Sequence, residues 1–267
     1  MDNLIYLYGI VPENEISAAP LPSFKGLDNE HAAYTISING INAVVCNLDE
    51  AGYKETELEK KTNDPQWLHE KAFHHHEVLL DLNNRYTVIP MKFCTIYENA
   101  DSLWNKLEPL EQKIAEQLKW LKNKEEWNMK IYCDDEKLRE SVAAHNLTIE
   151  AKKKEIEEMS PGRQFLEKKR LDQLIDQEAL KEKETFSARV HEQLTEMCED
   201  TSVKKNWNKK VTGRNDEMCW NSVYLLSTEN VEEYLSEIKS LQDKWTRDGW
   251  HLEITGPWPA YHFASLT

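Results

Sequence analysis

Three consecutive histidines, His74-His75-His76, are the residues in this chain best equipped for chemistry. Imidazoles bind metals, move protons and titrate near neutrality. Consecutive residues on a helix project about 100° apart, however, so three adjacent histidines cannot converge on one ion while the segment stays helical. The neighbouring run His69-Glu70-Lys71-Ala72-Phe73-His74 imitates the helix of a zinc protease. It fails as one, because the second ligand must fall four residues after the first, where Phe73 stands. His69 and His76 share a helical face two turns apart but have no evident third ligand. The expectation is amphipathic surface histidines with a pH response, and no metal.

Paired acids recur at Asp49-Glu50, Asp134-Asp135-Glu136, Glu157-Glu158 and Glu232-Glu233. Asp134 and Asp135 fall between a strand-like and a helix-like run, where carboxylates cap amides and meet the helix dipole favourably. Cys46, Cys94, Cys133, Cys198 and Cys219 form no Cys-x-x-Cys pair. An odd, scattered set fits reduced cytosolic thiols better than disulfides or zinc. There is no Gly-x-Ser-x-Gly, Walker loop or dinucleotide fingerprint, and eight glycines leave little material for phosphate-cradling loops. No catalytic residue and no cofactor is expected.

The 267 residues suggest two domains of ordinary size. With 40% hydrophobic residues, nine Trp and ten Tyr, the chain has the material for substantial cores, and 30% charged residues imply a wide wetted surface. A net charge of −15 argues against nucleic acid as partner, since phosphate neutralisation needs clustered Lys and Arg. The basic cluster Lys204, Lys205, Lys209, Lys210 and Arg214 alternates with Val203, Trp207 and Val211, which reads as a strand whose lysines guard a sheet edge. No apolar run approaches the roughly 18 residues of a membrane span, and the start of the chain does not read as a signal peptide.

The elements that must position these groups follow from periodicity. Leu4 to Val11 reads as a buried strand ended by Pro12. Ala33 to Ile38 and Ile41 to Leu48 flank Asn39-Gly40, the strongest short hairpin signal. Asp64-Pro65 opens a helix through Trp67, Leu68, Phe73 and Leu79 to about Leu82, and Tyr86 to Ile96 returns as a strand. The first half therefore reads β, ββ, α, β, a ferredoxin-like order with its first crossover helix replaced by loop. A helix carrying Leu103, Leu107, Leu110, Ile114, Leu118 and Leu121, kinked or restarted at Pro109, precedes a strand from Trp127 to Cys133. Charged helical sequence runs from about Glu136 to Asp200, broken at Ser160-Pro161-Gly162. Strands near Val203 to Val211 and Cys219 to Leu226, a helix from Val231 to Trp245 and a strand from Trp250 to Thr255 complete a βαββαβ order. The fold class is α+β: two ferredoxin-like-derived domains, residues 1–124 and 125–256, with antiparallel sheets covered by helices, followed by a tail, 257–267.

That tail, Gly256-Pro257-Trp258-Pro259-Ala260-Tyr261-His262-Phe263, must run extended, because each proline fixes its own φ and bars the residue before it from the helical region. Its aromatics either pack on the protein's own body or form a docking surface. Gly-Pro-Trp-Pro-x-Tyr-x-Phe at the end of a chain resembles the gas vesicle accessory family GvpF/GvpL. So do the opening strand with Tyr6, Tyr8 and Gly9, the segment Ile89-Pro90-Met91-Lys92-Phe93-Cys94-Thr95, and the blocks Glu126-Trp127-Asn128-Met129-Lys130-Ile131 and Ser160-Pro161-Gly162-Arg163-Gln164-Phe165-Leu166. The resemblance spans the chain and is nearest to GvpL. Lys92 stands where the family commonly has Arg, Cys94 where it has Gly, and Ala260 where a third proline is common. Cys94 implies that no positive φ is required there. Ser160 and Pro161 start a helix, and Arg163, opposed to the helix dipole in the first turn, calls for a carboxylate partner.

The resemblance implies a non-catalytic, cytoplasmic protein of gas vesicle assembly whose partners are the shell protein GvpA and other gas vesicle accessory proteins. The expected partner-binding or interdomain residues are Tyr6, Tyr8, Trp258, Tyr261 and Phe263. Gly9, Asn39, Gly40, Pro90, Phe93, Gly162, Arg163, Gly256, Pro257 and Pro259 are expected to shape the backbone. A minor structural component of the mature vesicle and a ferredoxin-like enzyme remain the alternatives.

Overall fold

The computed structural model describes residues 3–264 and 266. Two compact units divide the chain, one formed by residues up to Glu126 together with those from Pro257 on, the other by Trp127–Gly256.

The first unit runs β1 (Asn3–Pro12), α1 (Glu13–Ala18), β2 (Ala33–Ile38), β3 (Ile41–Asp49), α2 (Glu50–Tyr53), α3 (Glu55–Thr62), α4 (Pro65–Asn83), β4 (Ile89–Pro90), β5 (Ile96–Tyr97), α5 (Ala100–Leu107) and α6 (Glu111–Leu121). Its antiparallel sheet has the order β2-β3-β1-β4, with β5 also on β1. Asn39 and Gly40 make the β2–β3 turn with φ of 46° and 88°, the double positive φ of a type I′ hairpin. β1 and β3 are buried along nearly their whole length instead of alternating. Both faces are covered, by α4 over Tyr6, Tyr8, Val44 and Cys46 and by α5 and α6 on the sheet's other elements.

The second unit takes β6 (Lys124–Cys133) from Trp127 on, α7 (Asp135–His145), α8 (Leu147–Glu157), α9 (Pro161–Thr195), β7 (Asp200–Val203), α10 (Lys209–Thr212), β8 (Glu217–Ser227), α11 (Val231–Trp245) and β9 (Trp250–Trp258) as far as Gly256. Its sheet order, β7-β8-β6-β9, repeats that of the first unit: the first strand lies between the third and the fourth. On β6, Trp127, Met129, Ile131 and Cys133 face a core built with Phe186, Val190 and Leu194 of α9 and Tyr234, Ile238 and Leu241 of α11. Phe186 stacks on Trp250 at 3.9 Å. The alternate positions meet charge: Lys130 pairs Glu253 at 3.0 Å, and the Arg214 guanidinium lies 4.1 Å from the Tyr132 ring centre.

Several expectations are corrected. A short helix, α1, opens the first crossover instead of a pure loop. Tyr86 to Ile96 is no continuous strand but two short pieces separated by a turn in which Thr95 N–H bonds the Lys92 carbonyl. Cys94 is the third residue of that turn and has φ of 65°, so the positive φ is required after all and a non-glycine residue adopts it. The edge strand β7 is Asp-Thr-Ser-Val, and the lysines lie beyond it, Lys209 and Lys210 in α10. Arg163 is exposed, and among the described residues it makes no ion pair; Pro161 starts α9 without a side-chain cap from Ser160. Water satisfies an exposed guanidinium at low cost, which removes the need for a carboxylate.

Candidate partner-docking surface

In the first unit, α4 decides where the histidines go. Its buried positions are Lys71, His75, Val78, Leu79 and Leu82, a helical stripe that leaves Leu68 and Phe73 exposed. His75 therefore enters the core rather than the surface. Its Nε2 lies 3.1 Å from the Met91 carbonyl and its Nδ1 2.7 Å from the Tyr6 hydroxyl. A carbonyl only accepts, so Nε2 carries the hydrogen and Nδ1 accepts from Tyr6. The Tyr6 oxygen in turn accepts the Cys94 N–H at 3.4 Å. This relay ties the Met91–Thr95 turn to β1 and α4. Burial lowers the His75 pKa from 6.5 to about 4, which keeps the ring neutral and the relay intact at pH 7.

The three histidines diverge, as their spacing on a helix demands. His74 reaches the Tyr8 hydroxyl at 3.2 Å, and His76 reaches the Tyr261 hydroxyl at 2.8 Å. Among the described residues no three His, Cys, Asp or Glu side chains are placed to hold a metal.

Tyr6 and Tyr8 are completely enclosed, edge to face at 4.8 Å, with Tyr8 stacked on His75. Neither offers a surface to a partner; they build the platform beneath α4. Gly9, at the β1 bulge, lies against β4: an added Cβ would sit 2.9 Å from Val88 Cγ2 and 3.0 Å from the Ile89 carbonyl. Pro90 pairs with Gly9, and Phe93 packs against Trp67 and His75 at 6.4 and 5.8 Å.

The tail packs on this same unit. Gly256 has φ of 150°, Pro257 is exposed, and Pro259, Ala260 and Phe263 are buried. Trp258 is half-buried beside His76 at 5.4 Å. Phe263 lies 6.5 Å from Trp120, and its carbonyl accepts from Gln117 Nε2 at 2.7 Å. The buried Glu126 carboxylate accepts the His262 N–H at 2.9 Å and meets its Nδ1 at 2.6 Å. Tyr261, 39% exposed, borders a 450 Å³ groove with Ile89, Met91, Phe93, Ala264 and Leu266. The sequence supplied the aromatics of this groove. It marked Glu126 only as the head of a family-like block and gave no sign of Gln117; that both meet the tail shows only once the tail is laid beside them.

A second open feature is the outer edge of β2. In the two-residue hairpin Ile38 and Ile41 exchange main-chain bonds, so alternate residues Ile36 and Tyr34 also bond β3 and Ala33, Thr35 and Ser37 point away from it. The Ala33 N–H confirms this parity by bonding the Phe24 carbonyl at 3.0 Å. Beyond Ala33, the Thr35 and Ser37 N–H groups have no protein partner among the described residues.

The family model described as "Gas vesicle synthesis protein GvpL/GvpF" matches residues 4–265. The chain belongs to the GvpL/GvpF family. It is 24% identical over 265 residues to gas vesicle protein L2 of Halobacterium salinarum, covering 97% of this chain and 90% of that one. It is 21% identical over 217 residues to gas vesicle protein L of Streptomyces sp. (strain CB03234), covering 80% and 76%. Its fold matches crystal structures of GvpF from Anabaena sp. PCC7120 (TM-score 0.72, 18% identity, 99% of both chains) and from Microcystis aeruginosa (TM-score 0.65, 18% identity, 99% and 100%). Among the described residues, no helix of this GvpL/GvpF protein is long and apolar enough to cross a membrane.

Proposed function

We propose that this chain is a non-catalytic accessory protein of gas vesicle assembly, acting in the cytoplasm and at the vesicle, that binds the shell protein GvpA, other gas vesicle accessory proteins, or both. Family membership supports the gas vesicle role. The observation that carries the binding mode is the unpaired outer edge of β2, where Thr35 and Ser37 offer main-chain donors in a six-residue strand. An apolar, sheet-building shell subunit needs a soluble partner that occupies its strand edges before incorporation, and β-augmentation satisfies both edges at once. The acidic surface, net −15, keeps such a complex dispersed. The fixed packing of Trp258 and Phe263 on α4 and α6 favours β2 over the tail as the binding element.

Producing the chain together with GvpA and capturing it by an affinity tag tests this. Soluble GvpA in the eluate is the expected result. Absence of GvpA and of every other accessory protein from the eluate refutes the proposal. Recovery of the chain only in washed, mature vesicles, with no soluble complex, favours the structural-component alternative.

A further inference from the structure

Cys133 ends β6 and Cys219 lies near the start of β8, the neighbouring strand of the second sheet. Cys133 belongs to the apolar core under the helices, and Cys219 packs against that core. Asp135, two residues after Cys133, and Glu217, two residues before Cys219, meet on the same Lys183 ammonium, which sets the two cysteine-bearing strand ends side by side. Each thiol leans on a main-chain carbonyl, Cys133 on Asp134 at 3.7 Å and Cys219 on Glu217 at 3.6 Å. Cys133 is buried and Cys219 half-buried, so solvent reaches one member of the pair. Lys183 of α9 stands beside them, its ammonium 2.5 Å from both Asp135 and Glu217. Adjacent strands lie about 4.8 Å apart, within the roughly 4.4–6.8 Å that separates the Cα atoms of a disulfide.

We propose that Cys133 and Cys219 form a dithiol modification site that a peroxide oxidises to a disulfide bridging β6 and β8. Cys219, the accessible thiol, attacks one peroxide oxygen as the thiolate; the O–O bond breaks, a sulfenic acid forms and one water leaves. Cys133 then attacks the Cys219 sulfur, the S–S bond forms and the hydroxyl leaves as a second water. Two thiols and one hydrogen peroxide thus give one disulfide and two waters. The order of roles follows from the surroundings. The neighbouring Cys219 thiol, reinforced by burial, pushes the Cys133 thiol well above the ordinary range, which makes it a poor first nucleophile. The Lys183 ammonium acts the other way on Cys133, and the Asp135 carboxylate offsets part of that effect. The product closes residues 133–219, including α7, α8 and α9, into one covalent loop.

The test treats the full-length protein with equimolar hydrogen peroxide, alkylates the remaining thiols in denaturant and maps the peptides by mass spectrometry. The expected result is a linked Cys133–Cys219 peptide that dithiothreitol abolishes. The same link is expected in Cys198→Ser, and in Cys219→Ser Cys133 is expected to remain fully alkylated. The proposal is overturned if Cys219 proceeds to sulfinic acid while Cys133 stays a thiol, or if Cys219 pairs with Cys198 or with a second molecule. The wild-type map decides the matter even where a variant does not fold.

Discussion

Acid should loosen the first unit through His75, and the size of the effect follows from its surroundings. The ring is enclosed by Tyr6, Tyr8, Phe93 and the Met91 carbonyl, with His74 and His76 as its helical neighbours; burial outweighs the one contact that favours a positive charge, the hydrogen bond to the Met91 carbonyl. Its pKa falls from 6.5 to about 4 on folding. The unfolded chain therefore binds more protons between these values, and stability is present above pH 6.5 and lost as pH falls towards 4. Each tenfold difference in proton affinity between the folded and unfolded chain is worth about 1.4 kcal/mol, so roughly 2 kcal/mol disappears between pH 7 and pH 5 and roughly 3 by pH 4. Urea unfolding of the wild type and of His75→Gln at both pH values isolates the effect, because carboxylates and other histidines titrate alike in the two proteins. Gln keeps a donor for Met91 but cannot titrate. The variant is expected to be the less stable at pH 7 and to lose about 2 kcal/mol less than the wild type on going to pH 5. Equal losses in the two proteins would refute the buried, neutral ring and the relay built on it.

Other outcomes follow from single contacts. Gly9→Ala forces a methyl against Val88 and the Ile89 carbonyl and should cost about 1–3 kcal/mol in the same unfolding assay. Cys94→Gly relieves a non-glycine residue at φ of 65° and should leave the protein as stable or up to about 1 kcal/mol more so. Trp258→Ala removes the half-buried indole beside His76 and should lower the melting temperature, at about 2 kcal/mol, while partner capture at a temperature where the variant is folded stays unchanged. Loss of capture there would return the tail to the role of docking surface.

The parts of the fold that local chemistry controls were legible. Asn39-Gly40 specified its hairpin because those two residue types tolerate positive φ. Asp64-Pro65 and Asp134 marked helix starts, and both aspartates accept amide hydrogens there. The apolar stripe of α11 placed Tyr234, Ile238 and Leu241 in the core. What failed depended on distant partners. α4 buries Lys71 and His75 and exposes Phe73, because Tyr6 and the Met91 carbonyl supply the polar contacts that offset burial of the imidazole, and neither is near it in sequence. The turn at Cys94 had no glycine to announce it. The lysine-rich run looked like a strand by alternation, yet Asn208 caps a short helix there through its side chain. At the candidate site, the aromatic tail could be found from sequence; His76 and Glu126 stood out there for other reasons and Gln117 not at all, and that all three hold the tail could not be read from it.

Partner binding is assigned to the outer edge of β2, and one pair of substitutions addresses that edge directly. Thr35→Pro deletes an N–H that points away from β3, so the sheet keeps its ladder while the edge loses a donor; Ile36→Pro deletes an N–H that bonds β3 and serves as the fold-breaking control. Co-purification of GvpA with wild type and Thr35→Pro, at a temperature where both melt normally, is the decisive measurement. The predicted result is capture by the wild type and loss of capture by a folded Thr35→Pro. Undiminished capture by that variant would contradict pairing at this edge.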